Sequence, residues 1–123
     1  MKLSLILILI SLISQDLKAQ EELWLVTAYC PCKICCGKTD GITASGRKAQ
    51  EGRTCALNWL SFGTRVEIEG LGERIVEDRG AKSLFGSKKN QIKHLDIFFS
   101  SHQDAKNFGR KHLKVKILRK DSK

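Results

Sequence analysis

Apolar and polar residues alternate with a period of two along several short stretches of the chain, and that spacing predicts strands. Leu23–Tyr29 places Leu23, Leu25, Thr27 and Tyr29 on one face and Trp24, Val26 and Ala28 on the other. Apolar groups on both faces mean that both sides of this strand are covered. Thr54–Leu57 reads as a short strand. In Arg65–Glu69, Val66 and Ile68 point inward, and the Gly70-Leu71-Gly72 turn leads into Glu73–Asp78, which predicts a hairpin. Leu95–Phe99 is an apolar strand broken by one charge, and Leu113, Val115 and Ile117 alternate with Lys114 and Lys116 in a last strand. One helix is predicted. Ser101 caps it, Asp104 follows three residues on, Ala105 and Phe108 share a face, and Gly109 ends it. The segments between are polar. Cys30–Gly37 reads as a tight loop, Lys38–Gly52 as a Gly-containing loop, and Ala81–Lys93, with four lysines, as an exposed loop. Five or six short strands and one short helix predict a mainly β fold, a small barrel.

The first residues change the picture. Lys2, the apolar run Leu3–Ile13 and the Leu17-Lys18-Ala19 cleavage pattern predict a signal peptide over residues 1–19 and a single domain over 20–123. The run is too short for a spanning helix. No Cys follows the cleavage position, so neither a lipoprotein anchor nor a stable membrane anchor is expected. The full chain of 123 residues carries a net charge of +9. Losing Lys2, Asp16 and Lys18 with the leader leaves 104 residues at +8. That charge favours polyanionic surroundings, and export turns the choice away from nucleic acid toward a cell wall or lipid surface.

Export also makes disulfides the default for the five cysteines, Cys30, Cys32, Cys35, Cys36 and Cys55, with one thiol left over. Adjacent Cys35 and Cys36 bond each other only with strain, so Cys55 is expected to tie its strand to the Cys30–Cys36 loop. Cys32-x2-Cys35 also has the spacing of half a zinc site, but His94, His102 and His112 stand at no ligand-like spacing, and no metal or other cofactor is assigned.

Two carboxylates stand out. Asp is depleted in strands, yet Asp96 sits within one, on the face of Phe98 and opposite Leu95, Ile97 and Phe99. Aromatic surroundings strip its hydration and favour the protonated form, as a general acid for glycosidic cleavage requires, but a carboxylate that ends a strand or pairs with a lysine is an equal reading of the residues alone. Asp78 closes Ile75-Val76-Glu77-Asp78 before Arg79-Gly80, where a turn role is the plainer reading. If the two approach, the charge on Asp78 raises the pKa of Asp96 further. A phosphate-cradling Gly loop, a Ser nucleophile elbow and an H-E-x-x-H pattern are all absent.

These pieces fall in a recognisable order. Thr27-Ala28-Tyr29-Cys30 is followed by Gly41-Ile42-Thr43-Ala44-Ser45-Gly46, Cys55-Ala56-Leu57-Asn58 and Phe62-Gly63-Thr64-Arg65-Val66. Then come Val76-Glu77-Asp78-Arg79-Gly80-Ala81, Leu95-Asp96-Ile97-Phe98-Phe99, Ser101-His102 and Ala105-x2-Phe108-Gly109. From about Val26 to Ile117 the chain resembles the 3D family, named for three aspartates, which is similar to the catalytic barrel of membrane-bound lytic transglycosylase A. The resemblance implies a six-stranded double-psi β-barrel. It implies cleavage of peptidoglycan glycan strands between N-acetylmuramic acid and N-acetylglucosamine. It carries the catalytic aspartate onto Asp96 and the second aspartate onto Asp78, with Asn58, Thr27, Tyr29, Ser45 and Arg79 as supporting or substrate-binding positions. The first family aspartate falls on Asn58, the Gly-Gly after the second becomes Gly80-Ala81 with an insertion through Lys93, and the usual Arg before the catalytic strand is replaced near His94. A lytic transglycosylase-type enzyme is the leading expectation. A non-catalytic wall-binding barrel is the alternative, and an exported zinc-binding interaction module is a third reading that rests on the cysteines alone.

Overall fold

The computed structural model of the chain describes residues 21–36 and 39–119. The expected leader at 1–19 and the side chains of Cys35 and Cys36 lie outside the described set. Six strands form: β1 Glu21–Tyr29, β2 Thr54–Ala56, β3 Arg65–Ile68, β4 Gly72–Asp78, β5 His94–Phe98 and β6 Lys111–Arg119. They close on themselves in the order β1-β5-β2-β4-β3-β6. The β1–β5 and β2–β4 pairs are parallel and the rest antiparallel. The expected mainly β architecture is what folds. Among the described residues, no helix is long and apolar enough to cross a membrane.

Alternation decides what goes inside. Trp24 and Val26 of β1, Val66 and Ile68 of β3, Leu95 and Ile97 of β5 are buried in one cluster. Asp96 and Phe98 stand on the other face of β5, where Phe98 packs with Tyr29 and Ala56 in a second, smaller cluster. Cys55 lies wholly inside the main cluster as a free thiol. This corrects the expected staple: its pairing with Val76 and Ile97 holds it within the ring of strands, where burial pushes its thiol pKa far up.

The predicted helix is present, but it is not alone. Four-residue helical turns occur at Lys33–Cys36 (α1) and Lys82–Phe85 (α2), and the seven-residue helix His102–Phe108 is α3. Ser101 accepts from the Asp104 N–H, as a cap should, and Gly109 ends α3 with φ of 70°. The 81–93 segment is therefore more than the exposed loop expected from its lysines. Phe85 is buried and its ring stacks on His94 with centroids 4.0 Å apart. Gly80 makes room for it, because a Cβ there would lie 2.2 Å from the Phe85 ring.

One buried carboxylate organises the long loop before β2. Glu77 is almost fully buried and accepts from Arg47 at 2.8 Å, Arg53 Nε at 3.0 Å and Thr54 Oγ1 at 2.7 Å. A buried carboxylate is tolerated because every lone pair that matters is met by a charged or hydroxyl donor. The β2–β4 register slips beside it, so that Cys55 faces Val76 but Ala56 faces Asp78. Strict alternation would send Asp78 to the inward face of Val76, and this bulge turns it outward instead. Replacing Glu77→Gln should remove both charge-assisted pairs and lower stability by about 2 kcal/mol. Urea denaturation of the two proteins measures this, and an unchanged midpoint would show the knot to be dispensable.

Candidate functional site

Strand register sets the site before any side chain is considered. Thr27 of β1 is opposite Asp96 of β5, Asp96 is opposite Ala56 of β2, and Ala56 is opposite Asp78 of β4. The four residues form one row across four neighbouring strands. Two strand spacings separate the aspartates, about 10 Å between Cα atoms. Between them the small Ala56 is buried, packed with Tyr29 and Phe98. The Tyr29 ring packs edge-on against Phe98 at 5.5 Å, and its hydroxyl donates to Asp78 Oδ2 at 2.8 Å. Burial, with the Asp78 charge beside it, pushes the Tyr29 pKa well up, so this donor keeps its proton.

Asp78 accepts two further bonds on Oδ1, from the N–H of Ala44 and of Arg79, each at 2.9 Å. Its carboxylate ties β1, β4 and the 41–46 loop together. Asp96 has a different environment. Thr27 Oγ1 lies 2.9 Å from its Oδ1, and burial pushes its pKa up to about 6, against the lowering effect of the Thr27 bond and with help from the Asp78 charge.

The row continues beyond Thr27. His94 shares the Asp96 face of β5 two residues earlier, and its Nε2 lies 2.8 Å from the same Thr27 oxygen. His94 Nδ1 lies 3.1 Å from the Leu84 carbonyl, which can only accept, so Nδ1 carries a hydrogen. Thr27 donates its single hydroxyl proton to Asp96 Oδ1, so beside an ionised Asp96 the Thr27 oxygen is left to accept from a charged His94 ring. In a neutral ring with its hydrogen on Nδ1, Nε2 is an acceptor that competes with Asp96 for that proton, and a protonated Asp96 can then donate to Thr27 in return. Burial lowers the His94 pKa, against the raising effect of the Leu84 bond and with help from Arg110, which favours the neutral ring.

These groups open into a cavity of about 560 Å³, whose lining includes Thr27, Tyr29, Asp78, Arg79, His94 and Asp96. That volume is typical of small-ligand clefts. Leu84 and Phe85 of α2 form part of its wall, and Arg79 and Arg110 add positive charge. The Arg79 guanidinium lies 3.9 Å over the Phe62 ring and donates to the Leu57 carbonyl at 2.6 Å.

Two residues expected at the site stand apart from the cavity. Ser45 bonds Thr43 at 2.8 Å within the loop that Asp78 holds. Asn58 braces the chain beyond β4. Its Nδ2 donates to the carbonyls of Gly80 and Gly86 at 3.0 and 2.9 Å, and its Oδ1 accepts from the Gly80 N–H at 2.8 Å. A carboxylate could not make the first two bonds, so the Asn at 58 and the fold of the 81–93 segment belong together. His94 and Leu84 were not singled out in the sequence as members of this row. The period-two placement of His94 before Asp96 was the one available signal.

Two outcomes follow from these contacts. Asn58→Asp should turn a carboxylate toward two carbonyls and cost about 2–3 kcal/mol, read as a lower urea midpoint. Asp96 has a native pKa of about 6 against 3.8 for the ordinary group, so it favours folding below pH 4, and that favour is lost as pH rises to 6. Asp96→Asn should therefore stabilise the protein by up to about 3 kcal/mol at pH 7 and by less than about 1 kcal/mol at pH 4, with His94 common to both proteins. Equal stability of the two proteins at both pH values would remove the case for a proton-holding carboxyl.

No family model matches the chain. It is 33 % identical over 87 residues to the cell wall-binding protein YocH of Bacillus subtilis (strain 168), a stretch covering 67 % of this chain and 28 % of that protein. It is 31 % identical over 94 residues to YabE of the same organism, named for cell wall shaping, covering 75 % of this chain and 21 % of that protein. The chain thus spans between a fifth and a third of the length of these curated relatives.

Proposed function

We propose that this chain is an exported cell-wall domain that holds peptidoglycan glycan strands in the cleft between Tyr29, Asp78 and Asp96. The observation that carries this reading is the strand register that brings Thr27, Asp96 and Asp78 into the lining of one cavity. The likeness to a cell wall-binding and a cell wall-shaping protein supports it. The net charge of +9 suits an acidic wall. A closed ring of six strands with two parallel pairs supports a double-psi β-barrel of the 3D type.

A second reading, cleavage of the bound strand, is favoured by the raised pKa of Asp96. Its carboxyl would give its proton to the glycosidic oxygen as the bond to the muramoyl C1 breaks. The resulting carboxylate would take the proton of the muramoyl 6-hydroxyl, whose oxygen closes on C1. The acid is regenerated, and the product is a 1,6-anhydro end with no water consumed. One acid performs both transfers, so Asp78 serves by holding Tyr29 and by its charge. His94 is a positioning residue, since it acts through Thr27 on the proton of Asp96.

Incubation of purified protein with isolated cell-wall sacculi tests both readings. Co-sedimentation is expected at neutral pH, and its absence would end the wall-domain reading. Mass analysis of the released fragments then decides on cleavage. Anhydro-ended products that fall by at least about 100-fold in Asp96→Asn, with binding retained, establish Asp96 as the acid. Their rate should decline about tenfold per unit above pH 6, as the protonated fraction falls. Sedimentation without fragments leaves the binding reading standing alone.

A further inference from the structure

We propose that Cys30, Cys32 and His102 form a structural site for a zinc ion, separate from the cleft. Their three ligand atoms lie within 4.8 Å of one another. His102 Nδ1 is 3.4 Å from the sulfur of Cys30 and 3.4 Å from that of Cys32. None of the three lines the cavity.

The grouping is imposed by the fold. The parallel register pairs Tyr29 with Phe98, and the Phe99 N–H then donates to the Tyr29 carbonyl at 2.8 Å. Cys30, the residue after β1, therefore arrives where the chain leaves β5 for α3. Ser101 caps that helix, and His102 is its first residue. Seventy-two positions separate Cys30 from His102, so sequence spacing alone could not reveal the set.

The chemistry matches a borderline-soft cation. On a tetrahedral zinc ion with bonds of about 2.3 Å to sulfur and 2.0–2.1 Å to nitrogen, a sulfur and a nitrogen stand about 3.5 Å apart. The two observed nitrogen–sulfur separations have that value. The sulfurs are 2.8 Å apart, well beyond a disulfide bond of about 2.05 Å, and need to open by about 1 Å to share the ion. Cys32 is only half-buried. Binding would release the two thiol protons to solvent, leaving two thiolates and a neutral imidazole on the metal.

Stability argues in the same direction. A Cys30–Cys32 disulfide closes a loop around Pro31 alone and constrains the unfolded chain very little. An ion that includes His102 closes a loop of about 70 residues and pins the end of β1 to the start of α3. Cys35 and Cys36 follow three and four residues after Cys32 and are the sequence's candidates for the fourth ligand.

The test uses the full chain, purified under reducing, oxygen-free conditions. Elemental analysis should find one zinc per chain. Cobalt substitution should give the thiolate-to-metal charge-transfer band and the strong visible bands of a tetrahedral site. His102→Ala and Cys32→Ser change exposed or half-buried positions, so both should fold, and each should weaken zinc binding by at least about tenfold. His112→Ala, on β6, should not. A chelator should lower the melting temperature of the wild type and leave that of His102→Ala unchanged. Loss of the metal in Cys35→Ser or Cys36→Ser would name the fourth ligand. A metal-free protein under these conditions, or zinc binding indifferent to His102→Ala and Cys32→Ser, would overturn the proposal.

Discussion

The parallel register between β1 and β5 is the constraint on which the rest depends. It sets Thr27 beside Asp96 and Tyr29 beside Phe98, and it delivers Cys30 to the end of β5. A slip of one residue would exchange the two faces of a strand, because side chains alternate. Trp24 and Val26 would leave the core, and Thr27 would enter it. The apolar core and the polar row are thus two sides of a single choice of pairing. The cost of misplacing Trp24 alone, an aromatic side chain with its large apolar surface, makes that choice firm.

Around this pair, polar groups rather than apolar contacts hold the cleft open. Glu77 gathers Arg47, Arg53 and Thr54 behind the strands, Asp78 gathers Tyr29, Ala44 and Arg79 in front, and Asn58 gathers Gly80 and Gly86 to one side. Each is a short polar side chain that fastens an irregular segment to a strand. Irregular backbone cannot satisfy itself as a ladder does, so such anchors are what let loops of fixed shape line a cavity. Two adjacent acidic residues on one strand consequently do unlike things: Glu77 is enclosed by guanidinium groups, and Asp78 is presented to the cleft.

Much of the strand framework was legible because alternation of residues such as Val66 and Ile68, or Leu95 and Ile97, is a local property. Asp96 was legible for the same reason, as a charge in an otherwise apolar strand. What escaped is non-local. The pairing order of the strands, the bulge that turns Asp78 outward and the meeting of His102 with Cys30 depend on closure of the ring. Composition misled in two places. Four lysines made 81–93 read as loop, although Phe85 within it has a buried seat prepared by Gly80. The rule that exported cysteines pair favoured a staple at Cys55, although the parity of its strand sends that thiol into the core.

The contact between His94 and the Leu84 carbonyl joins two kinds of event usually considered apart. Leu84 belongs to α2, a single helical turn that rests on Phe85 and forms a wall of the cavity. Its carbonyl is the acceptor that fixes which ring nitrogen of His94 carries hydrogen. Leu84 is held in place by the seat of its neighbour Phe85 against His94 and Gly80. A change in the packing of that apolar ring would therefore reach the polar row through one backbone carbonyl, and would be read there as a choice between two ring nitrogens.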